Sequence, residues 1–77
     1  MRYIELKNGT KFLVLTEVDY CQNHYLYVAS VTEEVKYFFM WQKDIDTIEF
    51  VEDGQLILDL MNIVLEQLKT NTDFANN

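Results

Sequence analysis

Five apolar side chains in a row, Tyr37-Phe38-Phe39-Met40-Trp41, constrain this chain more than any other stretch. Successive side chains of a strand point to opposite faces, so a strand without a polar position needs cover on both. Tyr37, Phe39 and Trp41 share one face of this run, and Phe38 and Met40 the other. With 77 residues the chain forms one small domain, which buries only about 60% of its unfolded surface. Cover is therefore scarce.

The rest of the chain supplies strands first and a helix last. Arg2 to Leu6 alternates and reads as a first strand. Lys7-Asn8-Gly9-Thr10 carries an Asn-Gly pair, a hairpin signal because both residues tolerate positive φ. Lys11 to Val18 is rich in β-formers and makes a second strand. Asp19 to Asn23 is a polar turn, and His24 to Val31 a third strand. Thr32-Glu33-Glu34 turns the chain into the fourth strand, Lys36 to Gln42, and Ile45 to Val51 alternates as a fifth.

The period then changes. Ile57, Leu60, Met61, Val64 and Leu68 recur at steps of three and four, which predicts a helix over 55–69. Asp53 is placed to cap its amino terminus and Lys69 to suit the other end. The competing arrangement is an Asp53-Gly54 hairpin with Gln55 to Leu58 as a strand, because short apolar runs fit either form. The expected fold is α+β: a five-stranded antiparallel, strongly twisted sheet, free to close toward a barrel, followed by one C-terminal α-helix packed on it. Residues 1–70 make the single domain and residues 71–77 a frayed tail.

One helix covers one sheet face. Leu26, Val28, Phe38 and Met40 are assigned to it, opposite Ile57, Met61, Val64 and Leu68. Tyr25, Tyr27, Tyr37, Phe39 and Trp41 then form a second, aromatic face. Curling of the sheet can hide that face, or it can stand open as a platform for a partner or a second copy of the chain. The helix is also wider than its task. Leu56 and Ile63 flank its core stripe on one side and Leu58 and Leu65 on the other, so it nests in a curved sheet or touches a second molecule.

The net charge of −7 is unevenly placed. Residues 1–43 hold five acids and five bases, whereas residues 44–77 hold eight acids against Lys69 alone. This balance opposes direct binding of nucleic acid, which needs cations to neutralise phosphates, and docking on anionic lipid. It would attract a basic protein surface. A single cysteine, Cys21, leaves no internal disulfide, and no leader is expected because Met1-Arg2-Tyr3-Ile4-Glu5 reaches a carboxylate early. A reducing cytoplasm is the expected compartment.

Catalysis and metals find little foothold. Cys21 and His24 lie near one turn with Asp19 as the sole orienting acid, and read best as a small thiol beside a strand-initial histidine. Zinc wants about four Cys or His ligands, and the chain has two. Asp44, Asp46 and Glu49 lack the spacing of a calcium loop, and alternation would put the two aspartates opposite Glu49. Gly9 and Gly54 stand alone, without a phosphate-binding loop. No catalytic residue, cofactor or metal is assigned.

The segments ELKNGTKFLVLTEVDYCQNHYLYVASV and IEFVEDGQLILDLMNIVLEQL resemble a group of short acidic proteins of unknown function from low-GC Gram-positive bacteria and their mobile elements. Leu13 to Tyr27 carries most of the match, while KYFFMWQKD departs by being unusually aromatic. The resemblance implies a small cytoplasmic accessory protein of a phage or mobile element, with no catalytic residues to carry over. The expected function is a non-enzymatic protein-interaction module, self-association included, anchored by Tyr25, Tyr27, Tyr37, Phe39 and Trp41. The alternative uses Asp44, Asp46, Glu49, Glu52, Asp53, Asp59 and Glu66 as an acidic mimic of nucleic acid, occupying a basic groove as inhibitors of RNA-guided nucleases do.

Overall fold

The structure, a computed structural model, describes residues 2–75. It contains five strands, β1 (Arg2–Glu5), β2 (Lys11–Tyr20), β3 (Asn23–Ser30), β4 (Tyr37–Gln42) and β5 (Ile48–Phe50), then one helix, α1 (Gly54–Ala75). The strands form a single antiparallel meander in the order β1-β2-β3-β4-β5. The α+β expectation holds, and residues 55–58 are helix.

Each turn has a local cause. At the first hairpin Gly9 N donates to Leu6 O (2.9 Å) and Leu6 N to Thr10 O (2.8 Å), with Gly9 at φ 89°. This is a three-residue loop closed by a left-handed glycine, so Gly9 alone uses the positive φ offered by Asn-Gly. Asn8 instead accepts from Thr10 N through its side chain (3.0 Å). The second turn is tighter than the expected Asp19–Asn23 loop. Tyr20 pairs with Asn23, leaving only Cys21 (φ 50°) and Gln22 (φ 67°) between the strands. Both central residues are left-handed, as a type I′ turn requires, yet neither is glycine or asparagine. We expect the double change Cys21→Asn, Gln22→Gly to raise stability by about 1–2 kcal/mol, since each left-handed ordinary residue costs about 1 kcal/mol and asparagine relieves that only in part. An unchanged or lowered urea midpoint would contradict the strain.

The fifth strand is shorter than its alternating sequence suggests. Asp44 to Thr47 form a closed turn: Asp44 Oδ1 accepts from Asp46 N (2.9 Å) and Lys43 N donates to Thr47 O (3.0 Å). The side-chain acceptor on Asp44 captures backbone that alternation would have placed in the ladder. α1 starts as expected. Asp53 Oδ1 accepts from Gln55 N (2.9 Å) and Leu56 N (3.3 Å). It does not end at Lys69 but continues to Ala75; Asn76 and Asn77 lie outside the described residues.

The sheet is curled into a half-barrel. β2 and β5 are three strands apart, which in a flat sheet means about 14 Å. Yet Phe12 on β2 and Phe50 on β5 bring their rings to 5.8 Å, with Phe38 at 5.8 Å from the first and 5.4 Å from the second. A bulge on β2 helps: Val14 pairs with Val28 and Thr16 with Tyr27, so Leu15 is the extra residue. Ile4, Phe12, Leu26, Val28 and Met40 close the inner face on themselves as one core.

The helix therefore lies on the other face, which reverses the sequence assignment. Leu60 and Val64 pack with Val18, Tyr25 and Phe39 in a second core, flanked by Tyr20, Tyr27, Trp41 and Leu56. Leu26, Val28, Phe38 and Met40, expected under the helix, belong to the curl instead.

Candidate functional site

The face expected to stand open as an aromatic platform is thus divided in two. At the end near the start of α1, Tyr25 (5% exposed) and Phe39 (4%) are buried beneath the helix. Tyr27 and Trp41 are half-buried, and Lys43 Nζ sits 5.0 Å above the Trp41 ring. Of the five expected anchors only Tyr37 (58%) is exposed. It stacks on Tyr27 (5.9 Å, 20°), which in turn leans on Phe39 (4.7 Å). The aromatic row thus runs from the helix-covered half out into the open half.

That open half is a groove of about 550 Å³. Tyr3 from β1 and Tyr37 from β4 stand in its lining with Leu15, Val31 and Val35, and all five are exposed. Leu13 and Ala29 line it between them. Sequence reading missed Tyr3, Leu15, Val31 and Val35. The signal for Tyr3 and Leu13 was present, since they pair across β1 and β2, and Leu13 pairs with Ala29 and Ala29 with Tyr37. One row of side chains therefore crosses four strands on the helix face, beyond the stretch that the helix covers.

The acidic residues sit elsewhere. Asp44 and Asp46 lie in the turn after β4, at the opposite end of that strand from Tyr37. Several acids are tied into structure. Glu49 pairs with Lys43 (3.0 Å), Asp53 caps the helix, and Asp59 accepts from Tyr20 OH (3.2 Å) and Gln55 Nε2 (3.1 Å). The Asp59 carboxylate holds the Tyr20 phenol above its ordinary range. Hydrogen bonds from Asp46 first and Thr47 next hold Asp44 below the usual carboxylate value. Asp46 and Glu52 are exposed, as is Glu66 on the helix.

His24 is engaged by acids rather than by the thiol. Its Nδ1 lies 2.6 Å from Asp19 Oδ1 and its Nε2 2.8 Å from Glu17 Oε1, and Arg2 reaches the same Glu17 oxygen at 2.9 Å. Both ring nitrogens can donate only in the imidazolium. Asp19 first and Glu17 next raise the His24 pKa, and His24 first, with Arg2, lowers that of Glu17. The raised histidine contributes stability that is complete below its ordinary 6.5 and fades as pH rises through the folded value. The depressed glutamate contributes above 4.5 and loses that as pH falls through its folded value. Stability should therefore peak between about pH 4.5 and 6.5. These groups are partly exposed, so the alkaline decline should amount to about 1 kcal/mol or less. Urea unfolding at pH 6 and at pH 8.5 measures it, and His24→Gln should abolish the difference.

Among the described residues no helix is long and apolar enough to cross a membrane. No protein-family model matches the chain, and no curated protein or solved structure does.

Proposed function

We propose that this chain is a non-enzymatic protein-interaction module that grips an apolar segment of a protein in the groove between Tyr3 and Tyr37. The observation that carries the reading is the groove itself: apolar residues from β1 to β4 stand exposed on the sheet face that the helix covers elsewhere. Monomers rarely expose such patches without an interaction to serve. Tyr37 is the anchor, backed by Tyr27, while Tyr25, Phe39 and Trp41 support the sheet from the helix side. The resemblance to short acidic proteins of Gram-positive mobile elements supports a cytoplasmic accessory role. The partner is a protein, not nucleic acid or membrane, because a charge of −7 repels both phosphates and anionic lipid. Proteins retained from a source-cell extract by the wild type should be lost by Tyr37→Lys, a change at an exposed position that leaves the circular dichroism intact. Equal retention by the two would remove the groove from the account.

A second reading is favoured by the position of the acids. Asp44, Asp46, Glu49, Glu52 and Asp53 lie at the far end of the sheet from the groove, with Asp59 and Glu66 continuing along the helix. This acidic end would occupy a basic, nucleic-acid-binding groove of a host protein as a phosphate mimic. Capture by that end would collapse in high salt and on Asp/Glu→Lys changes in residues 44–59. Capture by the apolar groove would survive both.

A further inference from the structure

The helix carries an apolar stripe in which Met61 packs against the second core while the leucines stand exposed. Leu58, Met61, Leu65 and Leu68 step by three, four and three residues, the spacing of a coiled-coil seam. Leu58 (60%), Leu65 and Leu68 are exposed, although the same helix buries Leu60 completely. At about 100° per residue, this stripe lies on the flank opposite Asp59 and Glu66. Asp59 bonds Tyr20 of β2, so the leucine flank turns away from β2, toward the β3–β4 side that carries Tyr27 and Tyr37.

The helix reaches the strand that helps line the groove: Thr16 Oγ1 of β2 donates to Gln67 Oε1 (3.4 Å), and Leu15, which precedes Thr16 on β2, lines the groove. One molecule thus carries a concave apolar groove and, on its helix, a convex apolar ridge. A two-fold axis between them would set each ridge in the other copy's groove, the self-complementary arrangement of an isologous dimer.

Resting on the groove reading above, we propose that the groove's occupant is the helix of a second copy, presenting Leu58, Leu65 and Leu68, with each copy filling the other. Area supports this. Tyr3, Leu15, Val31, Val35 and Tyr37, with the three leucines, are each about half exposed. At roughly 200 Å² for a whole aromatic side chain and about 100 Å² for an aliphatic one they present about 500 Å². One side of a standard interface hides about 800 Å², of which a little over half is apolar. The exposed apolar surface therefore matches one side of a standard dimer.

Light scattering over a concentration series tests the proposal. The wild type should pass from one chain of 9.2 kDa to two as concentration rises. Leu65→Lys on the ridge and Tyr37→Lys in the groove should each hold it at one chain, with unchanged circular dichroism. In a Cys21→Ser background, copies carrying Leu65→Cys and copies carrying Val31→Cys should form a mixed disulfide when oxidised together. A wild type that stays at one chain throughout, a dimer indifferent to both lysine changes, or failure of the mixed disulfide would each overturn the proposal. A foreign protein held by monomeric wild type and lost by Tyr37→Lys would also overturn it, while leaving the groove reading in place. A wild type that neither self-associates nor captures a protein through Tyr37 would remove both.

Discussion

Leu60→Ala should cost about 3 kcal/mol of folding stability, whereas Leu58→Ala, two residues earlier on the same helix, should cost less than about 0.5 kcal/mol in dilute solution. Leu60 is completely buried in the core shared with Tyr25, Phe39 and Val18, and its truncation leaves a cavity that α1 cannot close without leaving the sheet. Leu58 faces outward. A domain of this size holds about 4–12 kcal/mol in total, so the Leu60 change removes a large share of it. Double-mutant cycles identify which sheet face the helix covers. Leu60→Ala should couple with Phe39→Leu by 0.5 kcal/mol or more and be additive with Phe38→Leu. Coupling with Phe38 in place of Phe39 would return the helix to the face that the sequence reading chose.

Phe12→Ala should be as damaging, at about 3–5 kcal/mol. The Phe12 ring packs edge-on against both Phe38 and Phe50, joining β2 to β5 across the inside of the curl. Phe12→Ala and Phe50→Ala should therefore be non-additive, although their strands are not neighbours in the sheet. Urea unfolding of the two single variants and the double variant measures this. Simple additivity would mean that the sheet opens flat in solution.

Much of this architecture is written locally in the chain. Alternation marks five strands, Asn8-Gly9 marks the first hairpin, and the shift to three- and four-residue steps after Gly54 marks the helix. Asp53 as the cap follows from its side-chain oxygen and its place before the apolar run. The choice of face is not local. Alternation separates Tyr25, Tyr27, Tyr37, Phe39 and Trp41 from Leu26, Val28, Phe38 and Met40, but it is symmetric about which set meets the helix.

The deciding signal lies on β2. The two-residue turn at Cys21-Gln22 sets Val18 against Tyr25 and Asp19 against His24. Glu17, Asp19 and His24 then make the Leu26 side polar at the end where the helix begins, so only the Val18–Tyr25 side offers it apolar ground. Carrying that register on to Phe12 and Leu13 requires the bulge at Leu15, which shifts the alternation of β2 halfway along. A sequence with no glycine or proline near position 15 gives no notice of it. The groove was hidden for the same reason. Its residues come from four strands and the β3–β4 loop, and Tyr3 and Tyr37 are exposed because the helix crosses only one half of a face that is apolar in both.

Hydroxyl-radical footprinting of the aromatic side chains across a concentration series tests the central claim most directly. That claim is a single aromatic face, half covered by α1 and half open to a partner. At the lowest concentration Tyr37 should be modified readily while Tyr25 and Phe39, on the same face, are protected. As concentration rises, Tyr37 and Leu65 should become protected together, with no change at Tyr25 or Phe39. Modification of Tyr25 and Phe39 as fast as Tyr37 in the dilute monomer would contradict the account.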